Sequence, residues 1–222
     1  MSDKKWVITI DGPAGSGKST VAKLLAQKLN LLYLDTGALY RAVAYKIQAM
    51  GIVAPDTAVL KELFVKTKIY LRKNHDGLAV FVDQEDVSQK IRTEEIAVLA
   101  STASAMPLVR EALLPIQREC ALETGVVAEG RDMGTVVFPN ADFKFYLQAS
   151  PEERARRRHL ELMEKGLNPV YEKIRASIVL RDKQDTERDI SPLRVPEDAR
   201  VIDTSEMTIL EVMEDIFNVL RS

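Results

Sequence analysis

Short apolar runs recur along this chain, and the stretches between them set apolar residues at helical spacing among charged ones. Val7 to Ile10, Leu32 to Leu34, Val126 to Ala128, Phe143 to Leu147 and Val201 to Ile202 are too short to be helices and predict buried strands. After the first run, Val21, Leu24, Leu25, Lys28 and Leu29 line one side of a predicted helix. Helix boundaries are equally legible. Ser150 with Glu153 and Thr208 with Glu211 have the spacing of capping boxes, and Gly51, Gly125 and Gly166 stand where helices should stop. Strands alternating with helices predict a three-layer α/β fold, with a five-stranded parallel sheet covered by helices on both faces.

One stretch breaks the alternation. Lys68 to Arg72 and Leu78 to Val82 are β-rich runs around Asn74-His75-Asp76-Gly77, which predicts a hairpin. A short helix from Asp56 through Lys66 precedes it, and Thr93 caps the helix that follows, so residues 56–92 are expected to form an inserted subdomain within a single 1–222 domain. His75 is expected to be a solvated turn residue and His159, beside arginines, a surface one; neither has further metal-type ligands around it.

Composition narrows the classes. The chain has 222 residues, 46% hydrophobic and 29% charged, enough to bury a sizeable core. Its 31 basic and 33 acidic residues leave a net charge of −2, so no global positive field recruits nucleic acid or an anionic membrane. The single Cys120 cannot form an internal disulfide, and no apolar stretch reaches the roughly 18 residues of a membrane helix. Met1 to Lys5 is too polar and short for a secretion signal. A cytoplasmic protein is expected, without nucleic-acid or membrane partners.

The most specific chemistry follows the first strand. Gly12-Pro13-Ala14-Gly15-Ser16-Gly17-Lys18-Ser19 fits G-x-x-x-x-G-K-[ST], a turn that aims backbone N–H groups and a helix N-terminus at a chain of phosphates. Lys18 would reach the β- and γ-phosphates, and the Ser19 hydroxyl is the expected Mg²⁺ ligand. Such a loop does not by itself distinguish a switch, a motor and a kinase.

Three further constellations address the second half of the site. Asp35-Thr36-Gly37-Ala38-Leu39-Tyr40-Arg41 follows the second strand, where a ligand can sit or where Asp35 or Thr36 can simply cap a helix. Glu129-Gly130-Arg131-Asp132-Met133-Gly134-Thr135 follows the third, with acids and an arginine at a strand end. Arg154, Arg156, Arg157 and Arg158 fall within one predicted helix, and at about 100° per residue they cannot share a face. That distribution suits a lid over phosphates, and equally a solvated helix. Downstream, Arg181, Asp185 and Arg188 would form one stripe on a continuous helix. A guanine-reading switch would need Asn-Lys-x-Asp, but the nearest string is Asp182-Lys183-Gln184-Asp185, with the wrong first residue and a helical setting. An RNA-binding role for the arginine cluster lacks aromatic stacking partners.

In order along nearly the whole chain, these segments resemble those of the bacterial cytidylate kinases, members of the nucleoside monophosphate kinase family of P-loop proteins. Ile91-Arg92-Thr93, Val109-Arg110-Glu111-Ala112-Leu113 and Gly130-Arg131-Asp132-Met133-Gly134-Thr135-Val136-Val137-Phe138-Pro139 extend the likeness. The resemblance implies a P-loop three-layer fold, an inserted subdomain that helps enclose a monophosphate, and an arginine-bearing lid over residues 151–168. It implies ATP and Mg²⁺ as donor and cofactor, CMP or dCMP as acceptor, and a monomer. Gly12 to Ser19, Thr20 and Arg157 would then bind ATP. Lys18, Arg131, Arg157 and Arg158 would supply the catalytic positive charge, with Arg154 a further lid candidate. Tyr40, Arg41 and Arg131 resemble acceptor-phosphate contacts; Thr36, Ser101, Arg110, Asp132 and Arg188 look like the rest of the CMP site, and Arg181 and Asp185 like sugar contacts. Two departures stand out: Glu129 replaces an aspartate that members often carry, with a role near the Mg²⁺ shell through water, and Thr36 replaces a serine found in some relatives. Within such kinases a UMP, dTMP or shikimate acceptor is the rival, and a non-enzymatic nucleotide switch is the alternative of another class.

Overall fold

A computed structural model describes residues 5–53, 56–74 and 77–221. The expectation for His75 falls outside the described residues. The chain opens with β1 (Val7–Asp11), α1 (Lys18–Leu29), β2 (Leu32–Asp35) and α2 (Thr36–Ala49). Next come α3 (Thr57–Lys66), the hairpin strands β3 (Ile69–Asn74) and β4 (Gly77–Val82), and a two-residue strand β5 (Glu85–Asp86). Helices α4 (Glu94–Ser104), α5 (Pro107–Glu119) and α6 (Ala121–Thr124) lead back to β6 (Val126–Gly130). The last third contains β7 (Phe143–Gln148), α7 (Pro151–Glu164), α8 (Tyr171–Glu187), β8 (Arg200–Asp203) and α9 (Ile209–Arg221).

Among the described residues the main sheet is five-stranded and parallel, in the order β2-β6-β1-β7-β8. Its central strands read as continuous apolar runs because helices cover both faces. Ile8, Ile10, Val127, Phe145 and Leu147 pack with Val21, Leu25, Val212 and Ile216 from α1 and α9. All five expected strands are present, each within two residues of its expected ends.

The hairpin forms a second sheet, β3-β4-β5, whose third strand is too short to leave an apolar signature in the sequence. Ile69, Val80 and Val82 of this sheet bury against Leu39, Val43 and Ile47 of α2, together with Ile96 and Val109 of α4 and α5. This second core therefore hangs from the helix that begins at the end of β2.

The punctuation has local causes. Gly51, Gly125 and Gly166 all have positive φ and end helices as expected. Thr208 and Glu211 make the reciprocal capping box, at 2.7 and 3.3 Å. The pattern at Ser150 is only half realised: Ser150 Oγ accepts from Glu153 N–H, but the Glu153 carboxylate turns to Arg156 and Arg157.

Phe145 on β7 is fully buried, with β1 on one side of its strand and β8 on the other. Phe145→Ala is expected to lower stability by about 3–5 kcal/mol, against under about 1 kcal/mol for Val201→Ala on the exposed edge, both measured by urea denaturation.

Candidate functional site

The carboxyl ends of β1, β2 and β6 meet at one edge of the main sheet, where open α/β sheets bind ligands. β1 ends at Asp11, and the chain turns through Gly12 to Gly17 into α1. A Cβ at Gly12 would lie 2.0 Å from the Leu147 carbonyl oxygen, so only glycine lets the loop pass the end of β7. No side chain caps α1, and its first-turn N–H groups border this loop. The Lys18 amine donates to Pro13 O at 2.5 Å and Ser16 Oγ at 3.4 Å. Burial holds its pKa well below the usual lysine range, and nearby Arg131 lowers it further.

Ser19 Oγ donates to one oxygen of Glu129 at 2.8 Å, and the Tyr33 hydroxyl donates to the other. Burial, with Asp35 beside it, pushes the Glu129 carboxyl up. Ser19 and Glu129 thus set two hard oxygen donors together at the foot of the phosphate loop, a set that fits Mg²⁺. Thr20 is exposed on α1.

At the end of β2, Asp35 both caps α2 and binds two arginines. One oxygen accepts from Ala38 N–H at 3.0 Å, and the other from Arg41 at 2.8 Å and Arg92 at 2.9 Å. Burial opposes its charge, but the two guanidinium groups hold its pKa below the usual range. The helix cap that the sequence offered at Asp35 is present, and the same carboxylate also holds two arginines, which the sequence did not indicate. Thr36 is buried, and its hydroxyl donates to the Glu129 carbonyl at 2.7 Å. Tyr40 is buried with the Arg110 guanidinium 5.4 Å from its ring centre.

Arg131 donates to Asp185 at 2.8 Å, and Arg110 pairs closely with Asp132. Arg188 lies 4.0 Å from Asp132 and 3.9 Å from Asp185. A cavity of about 350 Å³ is lined by Ser101, Ser104, Gln184, Asp185 and Arg188. Arg181 is held below its usual pKa by burial and then by Arg131, with Arg41 adding to the repulsion. Among the described residues, the buried Nε of Arg41, Nε of Arg181 and Nη2 of Arg188 have no hydrogen-bond partner. Guanidinium nitrogens without a hydrogen-bond partner, beside further cations, suit an anion with several acceptor oxygens.

The four arginines of α7 radiate as their spacing requires, but not all toward one ligand. Arg154 is 2% exposed, and it donates to Ala149 O, to Ala14 O and, through both Nη atoms, to Asp182 on α8. It supports the phosphate loop from behind, which corrects the expectation that it lies over phosphates. Arg157 reaches the Thr204 hydroxyl and carbonyl and stands 4.0 Å from where a Gly17 Cβ would be. Arg158 crosses to Glu94 on α4. The expected helical stripe also needs correction: α8 stops at Glu187, and Arg188 is extended, its Nε donating to Ser191 O at 2.7 Å. The loop, not helical spacing, brings it to Asp185. Asp182 in the Arg154 pair and Asp185 on Arg131 both belong to the Asp-Lys-Gln-Asp string, so neither end follows a strand as a guanine reader would.

Several residues of the site were not singled out from the sequence. Asp11, fully buried, accepts from Met133 N–H and Gly134 N–H at 2.8 and 2.7 Å. Its signal was present: an acid at the end of an apolar strand, the same pattern that drew notice to Glu129. Arg92 stood in the Ile91-Arg92-Thr93 segment without a role, and Tyr33 and Thr204 carried no comparable motif; Thr204 Oγ1 donates toward Ser16 O, at 3.2 Å, across 188 positions of sequence.

The sequence model of a protein family described as "Cytidylate kinase" matches residues 8–222. A cytidylate kinase from Geobacter sp. (strain M21) is 49% identical over 94% of this chain and 89% of its own. One from Bacillus subtilis (strain 168) is 45% identical over 99% and 98%. Among solved structures, a gluconokinase from Sinorhizobium meliloti 1021 shares the fold, with a TM-score of 0.51, 14% identity and coverage of 98% and 92%.

Burial raises the Asp11 carboxyl from 3.8 to about 6, against the two backbone N–H groups that favour its charge. The folded value lies above the unfolded one, so the cost of the charge is fully present above pH 6 and is relieved as pH falls toward 4. Relative to Asp11→Asn, the wild-type protein is expected to gain about 2 kcal/mol between pH 7 and pH 4, read from urea denaturation of both at each pH.

Proposed function

The chain belongs to the cytidylate kinase family, and from that premise we infer that it is an enzyme transferring the γ-phosphoryl group of ATP to CMP and dCMP, giving CDP and dCDP. The observation that best supports an acceptor site within it is the set of unpaired guanidinium nitrogens on Arg41, Arg181 and Arg188, beside Arg131 and Lys18. In this reading Gly12 to Ser19, Thr20 and Arg157 hold ATP. Tyr40, Arg41 and Arg131 take the acceptor phosphate, Ser101, Arg110, Asp132 and Arg188 the base, and Arg181 and Asp185 the sugar. Thr36 acts from the edge of that site, since its hydroxyl is engaged with Glu129.

Phosphoryl transfer needs positioning and charge neutralisation more than covalent chemistry. Lys18 exchanges its Pro13 contact for phosphate oxygens, and Arg131 leaves Asp185 for the acceptor phosphate, so both cations flank the transferring group. Ser19, with Glu129 behind it, would hold Mg²⁺, which neutralises charge on the phosphate oxygens when bound. The acceptor is already an anion near neutral pH, so no general base is required. Residues 151–168 act as the lid, Arg157 leaving Thr204 and Arg158 leaving Glu94 for the phosphates as it closes, and residues 56–92 enclose the monophosphate. The enzyme works as a cytoplasmic monomer on free nucleotides. Among the described residues no single helix is long and apolar enough to cross a membrane.

Cytosine offers an N4 amine beside acceptors at N3 and O2, which an aspartate between arginines complements. Asp132, between Arg110 and Arg188, has that setting. Uracil would turn O4 toward the carboxylate, a buried mismatch worth up to roughly 10⁴-fold.

In a coupled ADP-release assay with CMP, dCMP, UMP, AMP, dTMP and shikimate, turnover is expected with CMP and dCMP; brisk turnover of another acceptor and little of these two would refute the reading. Asp132→Asn should lose most of the CMP-over-UMP preference in kcat/KM, and survival of that preference would remove Asp132 as base reader.

A further inference from the structure

Arg131 and Asp132 are consecutive, and both ends of that step are fastened to one residue. On the N-terminal side Gly130 pairs with Asp11 in the parallel register of β1 and β6. On the C-terminal side the Asp11 carboxylate accepts from Met133 N–H and Gly134 N–H, one to each oxygen. Between them Asp132 takes a backbone conformation of φ −144° and ψ 25°, neither helix nor strand. The chain then enters a wide π-type turn, Met133–Val137, which Asp132 itself does not cap. Asp11 caps it from another strand. Its own next residue, Gly12, begins the phosphate loop.

We propose that Asp11 is a positioning residue for the acceptor site, clamping the Arg131–Asp132 step to the phosphate loop so that Arg131 meets the acceptor phosphate while Asp132 meets the base. The inference rests on the reading of those two residues as acceptor contacts. Asp11 is fully buried, and its carboxylate acts through the loop. A carboxylate suits the task because it offers two equivalent acceptors to two N–H donors. Asparagine offers one oxygen and sets an amide N–H₂ against the second donor, so one end of the clamp must swing away. The space behind the loop is closed: a Cβ on Gly134 would meet Pro196 Cγ at 2.9 Å, Thr9 Oγ1 at 3.0 Å and Lys144 Cδ at 3.1 Å. Displacement of the turn therefore moves it off the carboxylate and takes Asp132 with it.

Asp11→Asn is expected to lower kcat/KM for CMP by about 10–100-fold and the CMP-over-UMP ratio by about tenfold, with the KM for ATP changed less than about threefold. Gly134→Ala lifts the same N–H from the same carboxylate and should give the same signature at smaller size, so it decides the matter if Asp11→Asn does not fold. Either folded variant with the wild-type CMP-over-UMP ratio, or with equal losses for ATP and CMP at an intact ratio, overturns the proposal. Wild-type protein that does not turn over CMP would instead overturn the acceptor reading on which it stands.

Discussion

Like charges must be gathered into a buried cleft, and the rest of the structure accommodates that repulsion. Lys18, Arg41, Arg131 and Arg181 lie close enough that burial and mutual repulsion push Lys18 and Arg181 below their usual pKa ranges. Two unit charges about 4 Å apart repel by about 4 kcal/mol at an effective dielectric near 20, so such a group persists only where anions are interleaved. The protein supplies its own. Asp185 takes Arg131, Asp35 takes Arg41 and Arg92, and Asp132 takes Arg110. Because these acids are oriented by a helix cap, a helix turn and a strand end, the cations remain poised but incompletely satisfied.

The fold places this arrangement at a junction between two cores. The main sheet contributes strand ends whose positions are fixed by parallel pairing. The second sheet and α4 pack on α2, which starts at the end of β2 and carries Tyr40 and Arg41. Arg158 on α7 reaches Glu94 on α4, and Ser101 on α4 reaches Gln184 on α8. The two parts also share apolar contact: Leu71 and Leu78 of the hairpin and Leu114 of α5 pack against the cluster that Leu34, Ala128 and Met133 form at the main sheet.

Much of the fold was legible because buried parallel strands leave continuous apolar runs and helices leave capping residues and glycine stops. The phosphate loop was legible because its geometry demands glycine. The proposed acceptor site was visible as chemistry at strand ends, and the family resemblance implied the roles that spacing left open. What could not be read were long-range partners. Helical spacing sets Arg154 and Arg158 one turn apart on the same side of α7, but does not show that one meets Ala14 and Asp182 while the other meets Glu94. Arg188 was read as helical because nothing local signalled that α8 ends one residue earlier. Asp11 escaped notice because the loop motif begins one residue after it.

Lys18 folds back on Pro13 and Ser16, so the phosphate loop holds its cupped shape through contacts within itself. A loop that must be ordered by its ligand subtracts that ordering from the affinity. Here binding exchanges one set of hydrogen bonds on the lysine for another, and the backbone arrives already arranged. The entropic toll of the donor step is therefore small, and nucleotide affinity can be set by the contacts beyond the loop.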